Sequence, residues 1–133
     1  MNFKLFLKTN QTATKEFVSL FNQSVNAQPN PMNPRTYYIH DTEDDSLIMY
    51  SIKAFPTDVY ISDLTSDPRG FPAIKFLKKL TNMADLHQIT LTCISQPLDV
   101  DNKVDPVRLT NLYKKFGFKP KSPNSDNLVR LPK

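Results

Sequence analysis

Asp58-Val-Tyr-Ile-Ser-Asp-Leu64, Thr65-Ser-Asp-Pro-Arg-Gly-Phe-Pro72 and Ala73-Ile-Lys-Phe-Leu-Lys-Lys-Leu80 follow one another in the chain, and their reading decides the fold. The first run is rich in β-branched and aromatic residues and reads as a strand. In the second, two prolines and a glycine interrupt any regular ladder. The third opens a helical pattern in which Ala73, Leu77, Leu80 and Ala84 recur at spacings of 4, 3 and 4, with Lys75, Lys78 and Lys79 outward. Pro72 suits the first helical turn, where a missing N–H costs little. Ile89–Ile94 is the next strand. A β-α-β unit of this kind lays its helix against a sheet.

Working outward, Thr36–His40 and Leu47–Ala54 are β-rich runs around the turn-forming Asp41–Ser46, which predicts an antiparallel hairpin. Residues 28–35 contain three prolines and are expected to form a loop without regular structure. Upstream, Phe3, Leu5 and Leu7 alternate along the chain and predict a first strand. Thr12 or Thr14 then caps a helix to about Val25, with Phe17, Leu20, Phe21, Ser24 and Val25 on one face. Downstream lies the clearest helix. Asp105 is its N-cap, Pro106 its first residue, Leu109, Leu112, Tyr113 and Phe116 its apolar stripe, and Gly117 its left-handed terminator. Phe118–Lys121 and Leu128–Leu131 form a terminal hairpin. The expected order is β-α-β-β-β-α-β-α-β-β.

The 133 residues make one domain, 1–133, large enough to bury a full core. A hydrophobic fraction of 39% with 23% charged residues argues against both a membrane span and global disorder. The first eight residues are too short an apolar run for a secretory signal, so a cytoplasmic location is expected. Cys93 is the single cysteine, which excludes an internal disulfide framework and a Cys-cluster zinc site; it reads as a small buried residue. Average usage gives about nine glycines and about seven prolines in this length; the chain has 2 and 11. Gly70 and Gly117 therefore stand where no other residue serves. The net charge of +4 is uneven, with acids at Asp41, Glu43, Asp44 and Asp45 and a basic surplus over residues 103–133. The acidic run reads as a solubilising turn or as an attractor for a cationic amine. The basic face reads as ordinary solvated surface or as a contact for an anionic partner. His40 and His87 fall at a strand end and a loop. No RNP, helix-turn-helix or zinc pattern makes nucleic acid a favoured partner.

Strand, Arg-Gly-Phe-Pro-Ala opening a helix, strand, then a helix closing on Leu112-Tyr113-Lys114-Lys115-Phe116-Gly117-Phe118: this succession resembles the GNAT (GCN5-related N-acetyltransferase) family over nearly the whole chain. Leu112–Phe118 is similar to the family's Leu-Tyr-x-x-x-Gly-Phe signature. Arg69-Gly70 is similar to the start of its Arg-Gly-x-Gly-x-Gly/Ala loop, from which Pro72 and Ile74 depart. The resemblance implies an α/β (α+β) fold with a mixed central sheet of about six to seven strands, flanked by about three helices on both faces. It also implies acetyl-CoA as co-substrate and an amine-bearing acceptor. Tyr113 would be the general acid for the departing thiolate; Asp63 is the nearest candidate for the base, with Asp58 and Glu43 as weaker ones. Leu64, Thr65, Arg69, Gly70, Phe71, Ala73 and Ile74 would bind the cofactor.

The physics of that loop stands without the family. Backbone N–H groups at a helix N-terminus, backed by the helix dipole, bind phosphate oxygens. Glycine at position 70 lets the backbone approach closely. Two functions follow. One is an N-acyltransferase that passes an acetyl group directly to an amine. The alternative is a GNAT-like structural or interaction module that has lost cofactor binding; the glycine-poor, Asn/Lys/Thr-rich composition suits a phage accessory or virion-associated protein of that kind. A third, weaker reading is a nucleic-acid binder using the basic face.

Overall fold

A computed structural model describes residues 3–67, 71–94, 106–123 and 125–133. In chain order the elements are α1 (Phe3–Ser24), β1 (Gln28–Pro29), β2 (Tyr37–Asp41), β3 (Ser46–Ala54), β4 (Val59–Asp67), α2 (Phe71–Leu86), β5 (Leu91–Ile94), α3 (Pro106–Lys115), β6 (Lys119–Pro120) and β7 (Asn127–Arg130). The strands form one seven-stranded mixed sheet in the order β1-β2-β3-β4-β5-β7-β6. Every neighbouring pair is antiparallel except β4 and β5, which run parallel because α2 carries the chain back between them. The expected mixed α/β sheet with three helices is present.

Four local expectations are overturned. The predicted strand at Phe3–Leu7 is part of α1, which begins at Phe3, so Thr12 and Thr14 lie inside the helix and do not cap it. Thr14 instead donates its hydroxyl to the Phe55 carbonyl at 2.7 Å, tying α1 to the end of β3. Leu20 is also off the core, while Phe17 and Phe21 are buried. Residues 28–35 are not wholly irregular: Gln28 and Pro29 pair with Tyr38 and Tyr37. Proline is tolerated there because β1 is an edge strand and needs partners on one side alone.

All three helices end the same way. Asn26, Gln88 and Gly117 take φ of 54°, 57° and 96°. In each case the next residue donates back five positions: Ala27 to Asn22, Ile89 to Ala84 and Phe118 to Tyr113. This is the Schellman arrangement, which satisfies carbonyls the helix cannot. A chain with two glycines uses one of them for this purpose and fills the other two positions with amides.

α1 and α2 lie side by side on one face of the sheet. Tyr50 of β3 is fully buried beneath them, with ring centroids 4.7 Å from Phe76 and 5.9 Å from Phe21. Its hydroxyl donates to Asn22 Oδ1 at 2.5 Å, which satisfies the one polar atom that this burial would strand. α3 closes against the β5–β7 end of the sheet. There Arg130, 3% exposed, donates Nε to the Phe116 carbonyl at 2.6 Å and both terminal nitrogens to Asp85 at 2.8 Å. One guanidinium thus joins the C-terminal ends of α2 and α3 to β7.

The acidic run is a turn with a structural role. Asp41 accepts from the Glu43 N–H and Asp44 from the Ser46 N–H, each at 2.9 Å. Lys75 of α2 stands 3.9 Å from Asp41 and 3.8 Å from Asp44.

Candidate functional site

The parallel pair β4–β5 is short. Val59, Tyr60 and Ile61 register with Leu91, Thr92 and Cys93, and there the pairing stops. β4 continues to Asp67, hydrogen-bonded to β3 throughout. Among the described residues, nothing pairs with the β5-side edge of β4 from Ser62 onward. The sheet therefore opens at the carboxyl ends of its two parallel strands. In open α/β sheets, ligands favour this position because side chains and free backbone groups converge there.

A β-bulge marks the start of the opening. Ser51 pairs with Asp63 and Ile52 with Ile61, so Ser62 is an extra residue on β4. A bulge re-aims the side chains that follow it. In a regular strand, residues 60 and 63 point to opposite faces. Here Tyr60 registers with Lys53 and Asp63 with Ser51, which share one face of β3. Tyr60, Asp63 and Thr65 consequently share the face opposite Tyr50, while Leu64 turns inward against the core.

Burial pushes the Tyr60 phenol above its ordinary value, and the nearby Cys93 and Asp63 add to the shift. Tyr113 of α3 is 3% exposed and its ring packs edge-on to Phe118 at 5.2 Å. Burial raises its phenol too, with further contributions from Cys93 and Tyr60. Cys93 is pushed up to about 12 by burial, which keeps it a thiol and removes it as a nucleophile. A phenol raised above its usual value stays protonated at neutral pH and is a weaker acid than a free tyrosine.

Asp63 lies half-buried on the opening and Thr65 is exposed beside it. α2 begins three residues after β4, at Phe71, and Pro72 takes its second position. Orphan amides in that turn are therefore supplied by Phe71 and Ala73, with none from residue 72. Ala73 is buried and Ile74 is 40% exposed. Arg69 and Gly70, together with the expected N-cap Asp105, lie outside the described residues. Asp63 and Thr65 thus share one face of β4 and Leu64 the other, while Tyr113 lies near Cys93 and Tyr60.

Tyr60, on the face of Asp63, and Cys93, which registers with Ile61 on the other face, were not singled out as functional from the sequence. A tyrosine in a β-branched run looks like ordinary sheet packing, and the bulge that brings it beside Asp63 leaves no glycine or proline as a signal. Asp58 is occupied otherwise: it accepts the Thr92 hydroxyl at 2.6 Å. His40 contacts Asp45 at 2.9 Å on the surface. Among the described residues, no group of three His, Cys, Asp or Glu side chains could hold a metal ion, and no helix is long and apolar enough to cross a membrane. No protein-family profile, no curated protein and no solved structure matches the chain.

Proposed function

We propose that the chain is a GNAT-like, acetyl-CoA-dependent N-acyltransferase that transfers an acetyl group directly to an amine. The observation that carries this reading is the early end of the β4–β5 pairing at Ile61 and Cys93, beside a buried tyrosine and a half-buried carboxylate. An extended ligand arm can add by backbone hydrogen bonds to the edge of β4 that has no partner among the described residues, as peptides add to sheet edges. The diphosphate would meet the amides of Phe71 and Ala73 at the start of α2, with Arg69 and Gly70 contributing as the resemblance implies. In the reaction the amine nitrogen attacks the thioester carbonyl, a C–N bond forms and the C–S bond breaks. Asp63 takes the proton from the amine, directly or through water, and Tyr113 returns one to the departing thiolate. Positioning supplies most of the rate in such a site.

Pro72 favours a second reading. It deletes a donor from the turn that has to hold the phosphates, as expected of a structural or interaction module that no longer binds the cofactor.

Turnover separates the two. Purified chain, acetyl-CoA and a panel of small amines and amine-bearing peptides are followed by release of free thiol. The enzyme reading expects amine-dependent release that falls by ~10²–10⁴-fold in kcat on Tyr113→Phe. Amine-independent background alone, unchanged in Tyr113→Phe, would refute it.

A further inference from the structure

The two outer edges of the sheet, β1 and β6, are built alike. α1 closes on left-handed Asn26, Ala27 returns its N–H to the Asn22 carbonyl at 2.9 Å, and two residues later β1 carries Pro29. α3 closes on left-handed Gly117, Phe118 returns its N–H to the Tyr113 carbonyl at 3.2 Å, and two residues later β6 carries Pro120. α2 supplies the contrast. It ends in the same way, on Gln88 and Ile89, but the strand that follows is internal. The residue in the corresponding position is Leu91, which pairs with Val59 on one side and Arg130 on the other.

Register shows where each proline points. Antiparallel residues alternate between pairs that exchange hydrogen bonds and pairs whose N–H and C=O turn away. Asn30 donates to the Thr36 carbonyl at 3.0 Å, so the neighbouring Pro29, opposite Tyr37, is turned outward. Lys121 donates to the Asn127 carbonyl at 2.9 Å, so Pro120, opposite Leu128, is turned outward as well. On each edge the first outward N–H is therefore spent on the preceding helix and the second is absent. Pro31 opens the turn after β1, and exposed Lys119 and Lys121 flank Pro120. Past β1, the same alternation turns one further residue of β2 outward, His40.

We propose that Pro29 and Pro120 close the sheet against edge-to-edge pairing with further copies of this chain. A strand adds to an edge by exchanging N–H and C=O groups with it, and an edge strand without a free donor offers carbonyls alone. The lysines of β6 act in the same direction, since two copies meeting at that edge would bring like charges together. The device costs the fold little, because neither proline deletes a hydrogen bond inside the sheet. This inference is independent of the acyltransferase reading, which uses the inner edge of β4.

The test compares the wild type with Pro29→Val/Pro120→Val by sedimentation equilibrium of the whole chain, from micromolar to millimolar concentration. Valine restores the donor and favours strands. Two copies meeting antiparallel at one edge bring two such donors, so the double variant should associate about tenfold more tightly than the wild type. The amides introduced at positions 29 and 120 should gain protection from hydrogen exchange as concentration rises. Pro56→Val places the same side chain at an exposed turn away from both edges and should associate as the wild type does. Each single variant repeats the comparison if the double one fails to fold. The proposal is overturned by any of three results: a folded edge variant that associates no more tightly than the wild type, introduced amides that exchange freely in the oligomer, or an equal gain in Pro56→Val.

Discussion

Asp85→Ala should destabilise this protein more than Arg130→Met, although the two substitutions break the same ion pair. Arg130 is 3% exposed, while the Asp85 side chain keeps 27% of its surface in water. Removing Asp85 leaves a buried guanidinium with the Phe116 carbonyl as its remaining described partner. Stranding one member of a buried pair costs about 3–5 kcal/mol. Removing Arg130 leaves a carboxylate that rehydrates and still accepts the Lys133 N–H at 3.0 Å. That substitution forfeits the bidentate pair and the bond to Phe116, together about 2–3 kcal/mol after discounting for exposure. Asp85→Ala should therefore exceed Arg130→Met by about 1 kcal/mol. Urea unfolding measures both, read as shifts in midpoint at constant slope. The pH dependence follows from the same contacts. Hydrogen bonds from Arg130, and then the Lys133 N–H, hold Asp85 below its ordinary value of 3.8. A carboxyl whose folded-state pKa is depressed contributes fully above its unfolded value, and that stability is lost as pH falls through the lower folded value. The wild type should lose stability in that acid window more steeply than Asp85→Asn. Equal costs for the two substitutions, or a larger one for Arg130→Met, would refute the reasoning.

Gly117→Ala should cost about 1–2 kcal/mol by thermal or urea unfolding, because φ of 96° is unfavourable for a side chain and the new Cβ would lie 3.4 Å from Arg130 Nε. Tyr50→Phe removes the hydroxyl that reaches Asn22 and should cost about 0.5–1.5 kcal/mol, with the ring packing retained in the near-UV circular dichroism spectrum. Pro72→Gly restores an amide donor to the first turn of α2 and should tighten acetyl-CoA binding in calorimetry; unchanged affinity would place the phosphates elsewhere.

Legibility in the sequence followed the range of the cause. The Asp105-Pro106 to Gly117 punctuation located α3 and its left-handed end because capping is decided within a few residues. Ala73, Leu77, Leu80 and Ala84 located α2 by period alone. At the N-terminus two periods competed. Phe3, Leu5 and Leu7 fit a strand, but Phe3, Phe6 and Leu7 also lie at helical spacing, and no glycine or proline between residues 8 and 14 stops a helix from reaching back. Pro29 looked incompatible with a ladder, yet an edge position removes the need for its N–H. In the candidate site, Tyr113 and Asp63 were readable as residue types. Their company was not. Tyr60 reaches Asp63's face through the bulge at Ser62, and Arg130 finds Asp85 across 45 positions, both consequences of the assembled sheet.

The central claim, that the opening beside β4 is an acyl-CoA site, is tested most directly by titrating acetyl-CoA into the ¹⁵N-labelled chain and mapping the perturbed amides. The account predicts saturable binding with the largest shifts at residues 62–67 and at Phe71 and Ala73, and smaller ones at Tyr113 and Cys93. Absence of saturable shifts at millimolar acetyl-CoA, or shifts confined to another surface, would contradict it.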